Sequence, residues 1–133
     1  DLFEEVRSIR GGELIHSNTQ ILASSNPHKK TTMIYLTQLI YLKPGQEEIF
    51  DQFEAVAIPL ISRYNGRLLF RIRPSEETVI EGHMDEMPYE VHFVEFHSNA
   101  DFAAFMQDES RKQFLHLKEQ SIRASMLVKG EKL

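Results

Sequence analysis

From Met33 to Leu42 the chain reads Met-Ile-Tyr-Leu-Thr-Gln-Leu-Ile-Tyr-Leu, a run with no properly polar face. Ile34, Leu36, Ile40 and Leu42 share one parity with Gln38, while Tyr35, Leu39 and Tyr41 share the other with Thr37. Side chains of a strand alternate between its two faces, so a strand apolar on both parities needs cover on both sides. The run is short for an isolated helix and ends at Lys43-Pro44-Gly45, a turn signal. Parity alone leaves open which of Thr37 and Gln38 looks towards the helices and which towards a partner.

A chain of 133 residues is expected to form one domain around a single core. The excess of 20 acidic over 15 basic residues, with no basic stripe, argues against a nucleic-acid partner. The absence of cysteine excludes disulfides, thiolate nucleophiles and cysteine-bound metals, and fits a reducing cytoplasm. No apolar run approaches the roughly 20 residues needed to span a bilayer, and no signal peptide opens the chain, so neither a membrane nor export is expected. Asp1 in place of a methionine points to processing, fragmentation or trimming.

Residues 1–32 differ in texture from the rest. Leu2, Phe3, Val6 and Ile9 recur at near-helical spacing before Gly11-Gly12, and Ser24 to Lys30 reads as linker. This stretch is expected to be an N-terminal extension, either a tail or an arm for a partner, ahead of a domain over 33–133. Within that domain a strand to Leu42 precedes a helix over about Gln46 to Tyr64. Ile49, Phe53, Val56 and Leu60 form one apolar stripe of this helix, beside a second of Phe50, Ala57, Ile61 and Tyr64. Pro59 should kink or split it, and Asn65-Gly66 should stop it, with Gly66 left-handed. A second strand, Arg67 to Arg73, alternates Leu68, Phe70 and Ile72 against Arg67, Leu69 and Arg71. A short strand at Thr78 to Ile80 and a third main strand at Tyr89 to His97 follow. Ser98 or Asn99 then caps a helix whose Phe102, Phe105 and Met106 point inward, and Asp108 caps another piece with Phe114, Leu115 and Leu117 apolar. A last strand runs from about Ile122 to Val128.

Strand, helix, strand, strand, helix, strand is the split βαβ, ferredoxin-like order of the α+β class. It implies a four-stranded antiparallel sheet with both helices on one face. The first and third strands are central in that arrangement, and these two are apolar on both parities. An uncovered apolar sheet face is rarely tolerated, so a second copy packing sheet to sheet in a two-fold homodimer is the economical solution.

Lys43-Pro44-Gly45-Gln46-Glu47-Glu48-Ile49-Phe50 resembles the first strand–helix junction of dimeric α/β-barrel proteins. Phe93-Val94-Glu95-Phe96-His97-Ser98, followed by Asp101-Phe102-Ala103-Ala104-Phe105, resembles their third strand and second helix. Tyr64-Asn65-Gly66-Arg67-Leu68-Leu69, then Val79-Ile80-Glu81-Gly82 and Val128-Lys129-Gly130, look more like one uncharacterised bacterial branch of that superfamily. The resemblance covers nearly all of Met33 to Gly130. It implies a homodimeric barrel of face-to-face sheets, with a pocket between sheet and helices in each subunit. More distantly, it brings in the antibiotic-biosynthesis monooxygenase branch, whose members work without a cofactor, and isomerases or lyases of small ring compounds. The monooxygenases commonly carry a histidine on helix two where this chain has Phe105, and the uncharacterised branch a tryptophan there.

No cofactor or metal is expected. His92 and His97 stand at an odd spacing on one strand, so they cannot chelate one ion, while His83 and His116 lack neighbours at ligand spacing. Gly11-Gly12 has no preceding strand and is no phosphate loop. If Leu68, Phe70 and Ile72 face the helices, Arg71 lies opposite Glu95 on the dimer side, as a register-fixing ion pair or as part of a ligand cavity. Glu47-Glu48, Glu76-Glu77 and Asp85-Glu86 read as solvated charges. Tyr35, Gln38, Tyr41 and Tyr64 offer polar contacts to an aromatic or carbonyl-bearing ligand. The first functional expectation is a small-molecule-binding homodimer. The alternative is a cofactor-independent oxygenase or isomerase, holding an aromatic substrate among Tyr35, Phe53, Phe93 and Phe105 and moving a proton through His92 or Glu95. A purely structural dimerisation module is the third.

Overall fold

A computed structural model describes residues 32–133. The helix expected at Leu2 to Ile9 and the linker at Ser24 to Lys30 lie outside the described residues. The elements run β1 (Ile34–Leu42), α1 (Glu47–Leu60), β2 (Gly66–Ile72), β3 (Glu90–Phe96), α2 (Asn99–Met106), α3 (Glu109–Gln113), α4 (Leu115–Ser121) and β4 (Ile122–Gly130). The strands form one antiparallel sheet in the order β2-β3-β1-β4, the α+β ferredoxin-like arrangement with β1 and β3 central. Among the described residues no helix is long and apolar enough to cross a membrane.

Burial resolves the parity left open by β1. Ile34, Leu36, Gln38 and Ile40 are buried under the helices, and Tyr35, Thr37 and Leu39 occupy the other face. On β3 the helix-facing set is Glu90, His92, Val94 and Phe96; Val91, Phe93 and Glu95 look outward. Ile34, Leu36, Val94 and Phe96 meet Leu60, Ile61, Phe105 and Leu127 in the core. Burying each large apolar side chain here is worth about 1.5–3 kcal/mol. The outward face is apolar as well. Phe70 (45% exposed), Ile72 (50%), Met126 (48%) and Val128 (53%) lie there around a Tyr35–Phe93 ring stack at 5.9 Å.

α1 begins after the Lys43-Pro44-Gly45 turn, where Gly45 takes a φ of 77°. Glu47 and Glu48 lie in its first turn, where carboxylates complement the positive end of the helix. Pro59 does not split α1; it sits in the last turn, and the chain tightens to a 3-10 turn at Ile61–Tyr64 immediately afterwards. The stop is made by Asn65, not Gly66, in the left-handed conformation (φ 57°). Gly66 has a different task. A Cβ there would lie 2.6 Å from Phe96 Cε1 and 2.7 Å from Ile61 Cγ2, so the glycine lets β2 cross the core at close quarters.

β2 departs from simple alternation. Leu68 pairs with Val94 but Phe70 pairs with Phe93, which leaves Leu69 as an extra residue in a β-bulge. The bulge reverses parity: Leu68 stays on the helix side, Phe70 and Ile72 turn to the outer face, and Arg71 turns towards the helices. The expected Arg71–Glu95 pair is therefore replaced by two others, Arg67 Nε to Glu95 Oε1 and Arg71 Nε to Glu90 Oε2, each at 2.8 Å. The short strand expected at Thr78 to Ile80 is instead a 3-10 turn at Glu76–Thr78, closed by Ser75 N–H donating to Thr78 Oγ1 at 3.2 Å. Ser98 and Asp108 cap their helices as their side chains suggest, accepting from Asp101 N–H (3.0 Å) and Arg111 N–H (2.8 Å). Phe114 stays exposed, and the buried residues of α3 and α4 are Arg111, Lys118 and Ser121.

Candidate functional site

Between the helix-facing side of the sheet and the helices lies a cavity of about 40 Å³. Its walls are mostly apolar: Leu36, Val94, Phe96 and Leu127 from the sheet, Phe53, Ala57 and Ile58 from α1, and Phe105 from α2. Four polar side chains break that wall: Gln38 of β1, Glu54 of α1, His92 of β3 and Arg111 of α3. All four are at least nine-tenths buried. An apolar enclosure with a few converging polar groups is the general form of a small-molecule site.

Gln38 is placed by the parity of β1, opposite His92 in the β1–β3 register. Its Nε2 is buried and has no hydrogen-bond partner among the described residues. A buried amide donor without an acceptor costs about 1–3 kcal/mol, and most native side chains avoid that cost. The open donor belongs to a residue of the cavity wall.

His92 belongs to an ionic cluster built two residues away. Glu90, fully buried on the same face of β3, accepts from His92 Nε2 and Arg71 Nε through Oε2 and from Arg73 Nε through Oε1. The two arginines also reach Asp51 of α1, Arg73 at 2.9 Å and Arg71 at 3.5 Å. Burial works against the Glu90 charge, but its bonds to His92, Arg71 and Arg73 outweigh burial and hold its carboxyl down at about 2. Glu90 is thus a carboxylate that can only accept, and His92 Nε2 carries the hydrogen between them.

Glu54 behaves in the opposite way. It is 5% exposed, on the same helical face as Phe50, Phe53 and Ala57. Burial pushes its carboxyl up to about 7; His92, Arg71 and Arg111 pull it down and Glu90 adds to the rise. Two carboxyls in one neighbourhood are therefore driven apart, one charged throughout the neutral range and one poised to change charge near neutrality.

Arg111 enters from α3, 1% exposed, with Nη1 donating to Met106 O at 3.3 Å and its guanidinium 5.4 Å from the Phe105 ring centroid. The turn that delivers it is pinned from outside the cavity. Tyr64 Oη donates to Asp108 Oδ2 at 2.5 Å, which lowers the Asp108 carboxyl and raises the Tyr64 hydroxyl.

Of the residues singled out in the sequence, Gln38, Phe53, His92 and Phe105 meet at this cavity. Arg71 acts one step removed, through Glu90, and Tyr64 braces the α3 turn. Tyr35, Phe93 and Glu95 stand on the outer face of the sheet, so Tyr35, Phe53, Phe93 and Phe105 do not enclose one space. Glu54, Glu90 and Arg111 went unremarked in the sequence. For Glu54 a signal existed: a carboxylate at i, i+3 and i+4 spacing within an apolar stripe. Among the described residues no group of three or more His, Asp or Glu is arranged to hold a metal ion.

No family model and no curated protein matches the chain. Solved structures do. A protein of unknown function from Rhodopseudomonas palustris superposes with a TM-score of 0.67 at 17% identity, over 86% of this chain and 92% of that one. A nipsnap family protein of unknown function from Agrobacterium tumefaciens gives 0.56 at 19%, over 79% and 92%. A dimeric protein of unknown function with a ferredoxin-like fold, from Bacteroides fragilis, gives 0.54 at 13%, over 78% and 100%. At these identities the likeness establishes the fold and leaves function to the site.

Proposed function

We propose that this chain is a small-molecule-binding domain that works as a homodimer, with one pocket between sheet and helices in each subunit. The observation that carries the reading is the Gln38 amide, buried on the wall of a mostly apolar cavity with its Nε2 donor unused among the described residues. Dimerisation is supported by the apolar outer face around Phe70, Phe93 and Met126, and by the ferredoxin-like neighbour described as dimeric. Thermal-shift screening against short-chain carbonyl compounds tests the pocket, because a ligand selective for the folded state raises its stability by mass action. A specific stabilisation that Gln38→Leu abolishes is the expected outcome; a silent screen leaves only a structural dimerisation module. Light scattering tests the assembly, and a monomer at micromolar concentration removes the dimer.

A second reading makes the domain a cofactor-independent enzyme acting on a small carbonyl compound. It is favoured by Glu54, whose carboxyl at about 7 suits a group that takes and returns a proton at neutral pH. Turnover of any compound that the screen identifies, lost in Glu54→Gln while binding persists, separates this reading from the first.

A further inference from the structure

Size is the first constraint on the occupant. At roughly 10–15 Å³ per water on the same measure, a cavity of about 40 Å³ takes three or so water-sized groups. That is a body of about four non-hydrogen atoms, too little for a benzene ring. Polarity is the second. The Gln38 amide offers N–H from the sheet side, and N–H calls for an acceptor oxygen. Phe53, Ala57, Val94 and Phe105 offer nothing polar to the rest of the occupant.

Glu54 supplies the third constraint from the helix side. The titratable and charged groups around it are His92 and Glu90 on β3, Arg71 on β2 and Arg111 on α3. α4, which packs against α1, carries the buried Lys118. His92 and Arg71 are already engaged by Glu90. Burial prevails over these charges and brings Glu54 to the middle of the neutral range. A protonated carboxyl donates one hydrogen bond; an ionised one only accepts and repels another oxygen.

Resting on the pocket reading above, we infer that the cavity binds a compact carbonyl compound by its oxygen, held between the Gln38 amide and the protonated Glu54 carboxyl, so that binding is coupled to proton uptake. A ketone, an aldehyde and a carboxylate share that oxygen, and Arg111 on the same wall gives a carboxylate a cation to face.

Acetone and acetate, each of four non-hydrogen atoms, are the probes, and neither titrates between about pH 6 and 9. Their Kd values for the full chain are read by ligand-observed NMR across that interval. Affinity is expected to be level below about pH 7 and to fall towards tenfold per pH unit above it, as linkage to one proton requires. Tighter acetone identifies a neutral carbonyl ligand, tighter acetate an acid, and the fall with pH supports the inference in either case. Glu54→Gln keeps a donor but no titration, so its affinity should be flat with pH; a slope that survives this substitution assigns the proton elsewhere and overturns the inference. Gln38→Leu should weaken binding about tenfold at every pH, as loss of one hydrogen bond does. Binding with a flat pH profile in the unsubstituted chain refutes the proton coupling while leaving the pocket intact. Failure of both probes at every pH refutes the pocket itself.

Discussion

Glu54→Gln is the substitution whose effect on stability follows most directly from the structure. The carboxyl titrates near 4.5 when unfolded and at about 7 when folded, because burial disfavours its charge. Below 4.5 it is neutral in both states and has no effect. Between 4.5 and about 7 the unfolded chain has released its proton and the folded chain has not, so stability falls as pH rises. Above about 7 both states are ionised and the loss is complete. At 1.36 kcal/mol per pH unit that loss reaches about 3 kcal/mol. Glutamine keeps the shape without the charge, so the variant should match the unsubstituted chain near pH 4.5 and exceed it by about 3 kcal/mol at high pH. With a urea m-value of about 1–3 kcal/mol/M, the midpoint should rise by about 1–3 M. Urea titrations followed by circular dichroism at fixed protein concentration are the assay, since association adds its own concentration dependence. A stability difference that stays constant with pH refutes the account of Glu54. A chain that retains such a group gives up stability where Gln would not, as binding and catalytic sites often do.

Glu90 dominates the acid limb. Its carboxyl is held down at about 2, so its stabilising pairs are complete above 4.5 and lost as pH falls towards 2; Glu90→Gln should flatten that limb in the same titrations. Arg71→Ala removes one of the three donors to Glu90, and with the arginine 32% exposed and Arg73 still in place the cost should be about 1.5 kcal/mol; no measurable change contradicts the cluster. Gly66→Ala forces a methyl against Phe96 and Ile61, which should cost about 1–3 kcal/mol in thermal unfolding; a neutral result denies the close approach of β2 to the core.

Much of the scaffold was legible because β1 and β3 carry their instructions locally. The two apolar parities of Met33–Leu42 and of Val91–Phe96 marked central strands, and Lys43-Pro44-Gly45, Ser98 and Asp108 marked where helices begin. The bulge in β2 was hidden for the opposite reason. Leu68, Phe70 and Ile72 form an unbroken alternation, and only pairing with Val94 and Phe93 reveals that the partner strand skips Leu69. Register is set between strands, and one extra residue turns every later side chain over. The site was half legible. Gln38 and His92 stood out as polar residues among apolar neighbours, but which face they served depended on burial. Glu54 and Arg111 were masked by their helices, where a charge ordinarily reads as solvated surface and only the packing of other elements overhead shows otherwise. Glu90 sits at the start of its strand, and its three partners are Arg71 of β2, Arg73 just beyond that strand and His92 of β3.

The irregularity in β2 has a counterpart at the far edge of the sheet. β4 loses register with β1 between Tyr41 and Leu42, where Arg123 is the additional residue. β2 and β4 are the two edge strands, so each border of the sheet carries one bulge and exposed arginines, Arg67 and Arg73 beside β2 and Arg123 on β4. Open edges are templates for runaway strand-to-strand addition, and bulges and charges are the devices that blunt them. This chain therefore guards both routes to indefinite strand addition, and the homodimer proposed above would instead use the broad apolar outer face, in a two-fold contact that closes after one copy.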